Sequence, residues 1–156
     1  MSSLEAAAGK AIYISDTGDV VKVILEVYPD ANVAACALEG VDFGSVSLKD
    51  IKDPNDLRNL NLMVCQGQIG VAENGAIWVP ESYMMHRAAP FIAEHLVVVL
   101  STGDIVPDVH TAYEEIEIDA EGFGVFIAGP SKTADIEQAL VIGAHGPKSL
   151  TVFLVD

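Results

Sequence analysis

Short apolar runs alternate along the chain with segments of helical period. Lys10 to Ser15 reads as a strand, and Asp16 to Tyr28 as a helix with an acidic start. Asn32 to Leu38 is a second strand-like run. Val41 to Asn59 is polar, and its charged stretch Asp50-Ile51-Lys52-Asp53-Pro54 suits a loop or a short helix. Leu60 to Pro80 holds closely spaced apolar pieces broken by Gly67, Gly70 and Gly75. There Asn74-Gly75, flanked by Ile69 to Glu73 and Ala76 to Val79, predicts a hairpin, because that dipeptide tolerates φ > 0.

The second half continues the alternation. A helix is expected over Tyr83 to Ala93, a strand over His95 to Leu100, and a helix over Val106 to Ile116 with Pro107 in its first turn. Gly124 to Ala128 reads as a strand, Thr133 to Ile142 as a helix and Leu150 to Val155 as the closing strand. This order predicts an α/β sandwich around a mainly parallel sheet. No repeat, low-complexity tract or linker interrupts it, so residues 1–156 read as one domain.

Composition supports a packed core. Apolar residues make up 51% of the 156 and charged ones 20%, which excludes a disordered chain. Asp and Glu number 23 against 8 Lys and Arg, a net charge of −15 that repels nucleic acid and anionic membranes. A mean hydropathy of +0.37 calls for a check on membrane spans. The longest apolar stretches, Val33 to Leu38 and Leu96 to Leu100, fall far short of the roughly 20 residues a bilayer requires. Met1 to Lys10 lacks a basic n-region and a long apolar run, so no signal peptide is expected and a cytoplasmic location is. Cys36 and Cys65 each sit in an apolar segment and read as two buried thiols rather than a disulfide or metal pair.

Absent motifs narrow the chemistry. The dinucleotide fingerprint, the phosphate loop, the zinc-protease pair and the nucleophile elbow are all missing. Two separated cysteines cannot ligate a cubane cluster alone, and the four histidines show no ligand-like spacing, so neither a cofactor nor a metal is expected.

Two segments carry candidate chemistry. In Gly129-Pro130-Ser131-Lys132-Thr133-Ala134-Asp135, placed after a strand and expected to open a helix, Ser131 or Thr133 can cap the first turn and Asp135 suits the helix dipole. That is either a well-capped turn or an anion site at the carboxyl end of the sheet, with Gly129 and the Lys132 cation beside it. In Ala72-Glu73-Asn74-Gly75, Glu73 interrupts an apolar run, so its carboxylate lies either at a turn or in a pocket as base, nucleophile or acceptor. His145-Gly146-Pro147 reads as a surface turn or as an approach to the ligand crevice. His95 reads as a satisfied core or edge histidine.

The block from Gly129 to Glu137, followed by Gly143-Ala144-His145-Gly146-Pro147-Lys148 and a closing Leu150 to Asp156, resembles the LUD-domain family, of the lactate utilization protein C type. Ala72-Glu73-Asn74-Gly75 is similar to that family's A-E-T-G-T segment, and His95 to Val99 with Ile105-Val106-Pro107 to its H-[IL]-V-V-V and I-V-P stretches. The likeness covers roughly Leu60 to Asp156. It implies a fold similar to the ribose-phosphate isomerase and CoA-transferase group, an α/β three-layer arrangement. It also implies a part in oxidising lactate to pyruvate beside iron–sulfur partner proteins, in a subunit without its own redox centre. Asn74-Gly75-Ala76 replaces the family's T-G-T, and Lys132 its more usual Arg, which gives up bidentate anion recognition. Met1 to Asn59 is shorter than the family's helical lead-in. Whether the chain is itself an enzyme stays open. The alternative is an enzyme or sensor for a small anion, such as a sugar phosphate or an acyl-CoA, in a pocket shared by Glu73 and Ser131. Asn74, Gly75, Gly129, Ser131, Lys132, Thr133, Asp135, His145 and Gly146 would then touch the ligand.

Overall fold

The computed structural model describes residues 2–117, 122–134, 140–143 and 145–156. Its centre is a parallel five-stranded sheet. β1 (Lys10–Ile14), β2 (Ala34–Cys36), β3 (Leu62–Gln66), β6 (His95–Ser101) and β11 (Ser149–Val155) stand in the order β1-β11-β6-β3-β2. Strands covered on both faces read as unbroken apolar runs, and β6 shows why. Leu96, Val98 and Leu100 point to one apolar cluster while Val97 and Val99 point to the other.

Helix α2 (Val20–Val27) closes one face. A short 3-10 turn capped by Asp16 leads into it, and Val20 and Ile24 are buried against Leu62, Val97 and Phe153. Ile24 is wholly buried, which contributes about 1.5–3 kcal/mol. The other face is covered largely by a second sheet rather than by helices alone. β4 (Ile69–Val71), β5 (Ile77–Pro80), β7 (Ile105–Val106) and β8 (Gly124–Ile127) run in the order β7-β4-β5-β8, with β5 antiparallel to both neighbours. Ile77 and Val79 face the central sheet, whereas Trp78 packs outward with Ala112 and Ile116 of the α4 region. Helix α4 spans Val109–Glu115, and α3 is a single turn over Ala89–Ile92. The α/β class and mainly parallel central sheet agree with the sequence.

Four local expectations change. The helix over Thr133 to Ile142 is replaced at both ends by strand: β9 (Lys132–Ala134) pairs antiparallel with β10 (Leu140–Ile142). The middle of that expected helix, including Asp135, lies outside the described residues. The physical reason is tertiary pairing: Ser131 N–H donates to Pro147 O and Gly143 N–H to Ser131 O, which holds this stretch against the approach to β11. Pro107 stands before the α4 cap, Asp108, whose carboxylate accepts from Thr111 N–H. Between Glu81 and Ile92 there is one 3-10 turn and the short α3 instead of one long helix. The β4–β5 hairpin is present, but its loop is Ala72 to Gly75, closed by Val71 N–H to Ala76 O at 2.8 Å, and only Gly75 takes positive φ.

The cysteines are free. Cys65 is buried on one face of β3 and Cys36 is half-buried against the opposite cluster. Burial pushes the Cys65 thiol up to about 12. No described helix is long and apolar enough to cross a membrane.

Candidate functional site

Parts of two motif blocks meet around helix α1 (Ser2–Ala6). At one end of α1, Ser3 Oγ donates to Ala72 O at 2.7 Å, and Leu4 is buried next to Gly75. A Cβ on Gly75 would lie 2.5 Å from Leu4 Cα, so the positive φ of 71° and the close approach both require glycine there. At the other end, Gly129 (φ 73°) touches the carbonyl of Ala7, and Lys132 Nζ donates to that same oxygen. The helix therefore lies between the Glu73 hairpin and the Gly129–Lys132 block.

Glu73 is exposed at the hairpin tip. Its N–H donates to Pro107 O at 3.0 Å and its Oε2 accepts from Val109 N–H at 3.4 Å, which makes it a tie between the hairpin and the start of α4. Asn74 Oδ1 accepts from Ala76 N–H at 2.9 Å and shapes the turn. A cleft of about 540 Å³ opens between these two residues and Ser2, Ser3, Ala6 and Ala7.

Ser131 belongs to a different neighbourhood. A Cβ on Gly146 would meet its side chain at 2.9 Å, and its N–H is taken by Pro147 O at 2.8 Å rather than left free for an anion. Lys148 N–H donates to Glu94 O just ahead of β6, so Gly143, His145, Gly146 and Lys148 lie at the amino end of β6 and β11, not at the carboxyl end of the sheet. Thr133 sits in β9 opposite Val141. The cleft that Glu73 lines does not include Ser131.

His145 and Gly146 instead line an open groove of about 880 Å³ at this amino end. Its floor is apolar, with Val33, Leu60 and Phe91, and its rim carries Arg58, Asn61, Glu94 and Lys148. Lys148 Nζ and Glu94 Oε1 are 2.6 Å apart, and Asn61 Nδ2 donates to Glu94 Oε2 at 3.2 Å. The Lys148 ammonium, with help from Asn61, holds the Glu94 carboxyl below its ordinary value. Arg58, Asn61, Glu94 and Lys148 were not among the sequence candidates, because they converge from separate loops at no motif spacing.

Next to this groove, His95 is satisfied as expected. Its Nδ1 lies 2.7 Å from Ser149 Oγ and its ring stacks on Tyr28 at 5.1 Å, while Tyr28 Oη bonds the buried Thr151 at 2.7 Å. These groups satisfy one another, which is how buried polar side chains are kept. Among the described residues no cluster of three or more His, Cys, Asp or Glu could hold a metal ion.

Comparison with known proteins places this geometry in context. A sequence model of the LUD domain matches residues 54–155, more than half of the chain. Lactate utilization protein C of Bacillus pumilus is 36% identical over 93 residues, covering 55% of this chain and 38% of the relative. The protein of the same name in Bacillus subtilis is 31% identical over 102 residues, covering 62% of this chain and 42% of the relative. The chain thus spans about two fifths of the length of these relatives. A crystal structure of a DUF162-family protein from Deinococcus radiodurans superposes with a TM-score of 0.73 at 14% identity, covering 99% of this chain and 93% of that one. At that identity the match speaks for the fold alone.

Proposed function

We propose that this chain, which belongs to the LUD-domain family, serves the oxidation of lactate to pyruvate as a subunit without a redox centre of its own, working in the cytoplasm beside iron–sulfur partner proteins. The observation that carries this reading is the match to lactate utilization protein C from Bacillus and Geobacillus species over 55–62% of the chain, beside a LUD-domain match over residues 54–155 that includes every candidate site residue. The chain's chemistry agrees with that division of labour. Its two cysteines lie on opposite faces of one sheet, and four thiolates are needed to hold a cubane cluster. The charge of −15 suits contact with a protein or a small molecule better than with nucleic acid.

Growth is the direct test. A strain lacking this gene should grow normally on glucose and poorly on L-lactate, and a plasmid copy should restore growth. Purification of the tagged protein from lactate-grown cells should bring iron–sulfur proteins with it. Normal growth of the deletion strain on lactate as sole carbon source would sink the proposal.

A further inference from the structure

The clefts among the described residues differ in the kind of charge that lines them. The cleft at the hairpin tip is lined by Glu73, and another contains Asp104 and Glu115. A third, under the end of α2, contains Asp30 and Glu94, and a void of about 90 Å³ between the sheets has no charged lining. The amino-end groove differs from these in carrying two permanent cations, Arg58 and Lys148, against one carboxylate, Glu94. That is an inversion in a chain with only 8 Lys and Arg against 23 acids. Glu94 is moreover neutralised by Lys148, whereas Arg58 has no carboxylate partner within 4.0 Å among the described residues.

We infer that this groove binds an organic anion larger than lactate, its carboxylate or phosphate held by Arg58 and His145 and its apolar body laid on Phe91 and Leu60. Three features select that class. A guanidinium on an open rim offers paired donors matched to a carboxylate or phosphate. The floor is apolar, and Phe91 stays 41% exposed on it, so a wholly polar anion would leave that surface wet. Size leaves room for an occupant larger than lactate. At about 30 Å³ for each water displaced, six heavy atoms fill on the order of 100–200 Å³, a fraction of the 880 Å³ groove.

The inference rests on the proposed function only in placing the chain among proteins that handle small organic anions. The growth test and the binding test can therefore fail separately. Titration calorimetry of the purified chain at about 0.15 M salt would use octanoate, phenyl phosphate, L-lactate and inorganic phosphate as probes. The carboxylate and phosphate arms tell which head group is preferred. Octanoate or phenyl phosphate should bind at least 10-fold more tightly than L-lactate or inorganic phosphate. Arg58→Gln should weaken binding about 10-fold. Glu94→Gln should tighten it several-fold, because it removes the negative charge and frees Lys148 while the amide can still meet Asn61. Opposite signs from two variants with unchanged melting curves are not what a purely structural role produces. Equal affinity for lactate and octanoate, no binding of any probe at 10 mM, or indifference to Arg58→Gln would each overturn the inference.

Discussion

Replacing Gly129 by alanine tests whether α1 is held by the motif block it touches. Two costs are separable. The first is the left-handed backbone, φ 73°, which costs an L-residue about 1–2 kcal/mol. The second is overlap: the new Cβ would stand 1.9 Å from Ala7 O and 2.9 Å from its carbonyl carbon, so either α1 or the segment leading into β9 must give way. That second cost has a ceiling, because α1 can let go. Release would expose Leu4, worth about 1.5–3 kcal/mol, and lose the Lys132 to Ala7 bond, worth about 1 kcal/mol. Together Gly129→Ala should cost about 3.5–6 kcal/mol at most. Gly40→Ala is the control, since Gly40 has the same φ of 73° and nothing within 4 Å of its added Cβ. It should cost about 1 kcal/mol. In thermal melts the two should fall by roughly 10 °C and roughly 3 °C for a domain of this size. Hydrogen exchange identifies where the energy goes: the amides of Ala7 and Gly9, bonded to Ser3 O and Leu4 O, should lose protection in Gly129→Ala only. Equal losses in the two variants, within about 0.5 kcal/mol, would refute the assigned contact.

The two thiols should differ toward a disulfide reagent at pH 8. Cys65, wholly buried with its thiol pushed up to about 12, should react only after denaturation, and half-buried Cys36 should react first and slowly; two fast thiols in the native protein would contradict this packing. Asp108 should contribute to acid sensitivity. It accepts from the Thr111 N–H and hydroxyl, which holds its carboxyl below the ordinary value, so its stabilisation is present above the unfolded-state pKa and is lost as pH falls through the folded one. Asp108→Asn keeps a capping side chain but removes the titration, so urea midpoints between about pH 5 and pH 2 should fall less steeply than in the parent. Identical profiles would count against the cap.

What the sequence made legible follows from how local each determinant is. β6 was readable because Leu96 to Leu100 are all buried, Val97 and Val99 on one face and the rest on the other, and such a run has few alternatives. The hairpin was readable because Gly75 supplies the one positive φ the loop needs. Its four-residue form was not, since Ala72 and Glu73 donate to Val106 O and Pro107 O, on a strand about 35 residues away. The same holds for Thr133 to Ile142. The local pattern suits a helix, yet Ser131 is claimed by Pro147 and the described ends of the stretch pair as strands. Non-local pairing overrides propensity wherever the two conflict.

The site obeys that rule more strictly, because its parts come from the most distant stretches. Lys132 looked like a spare cation after a strand, but the residue that takes its amine, Ala7, lies 125 positions earlier. Arg58 and Lys148 share a groove only because Gly143, His145, Gly146 and Lys148 dock beside Glu94 ahead of β6. Net charge, by contrast, is visible at once and misleads when taken alone. At physiological salt the Debye length is about 8 Å, so most of the −15 is screened at the groove and the nearby rim groups dominate. At low salt the whole field acts, and it opposes any anion approaching the same residues. Weak anion binding measured in dilute buffer would thus reflect the acidic surface, whereas binding near 0.15 M salt reflects Arg58, His145 and the paired Lys148 and Glu94.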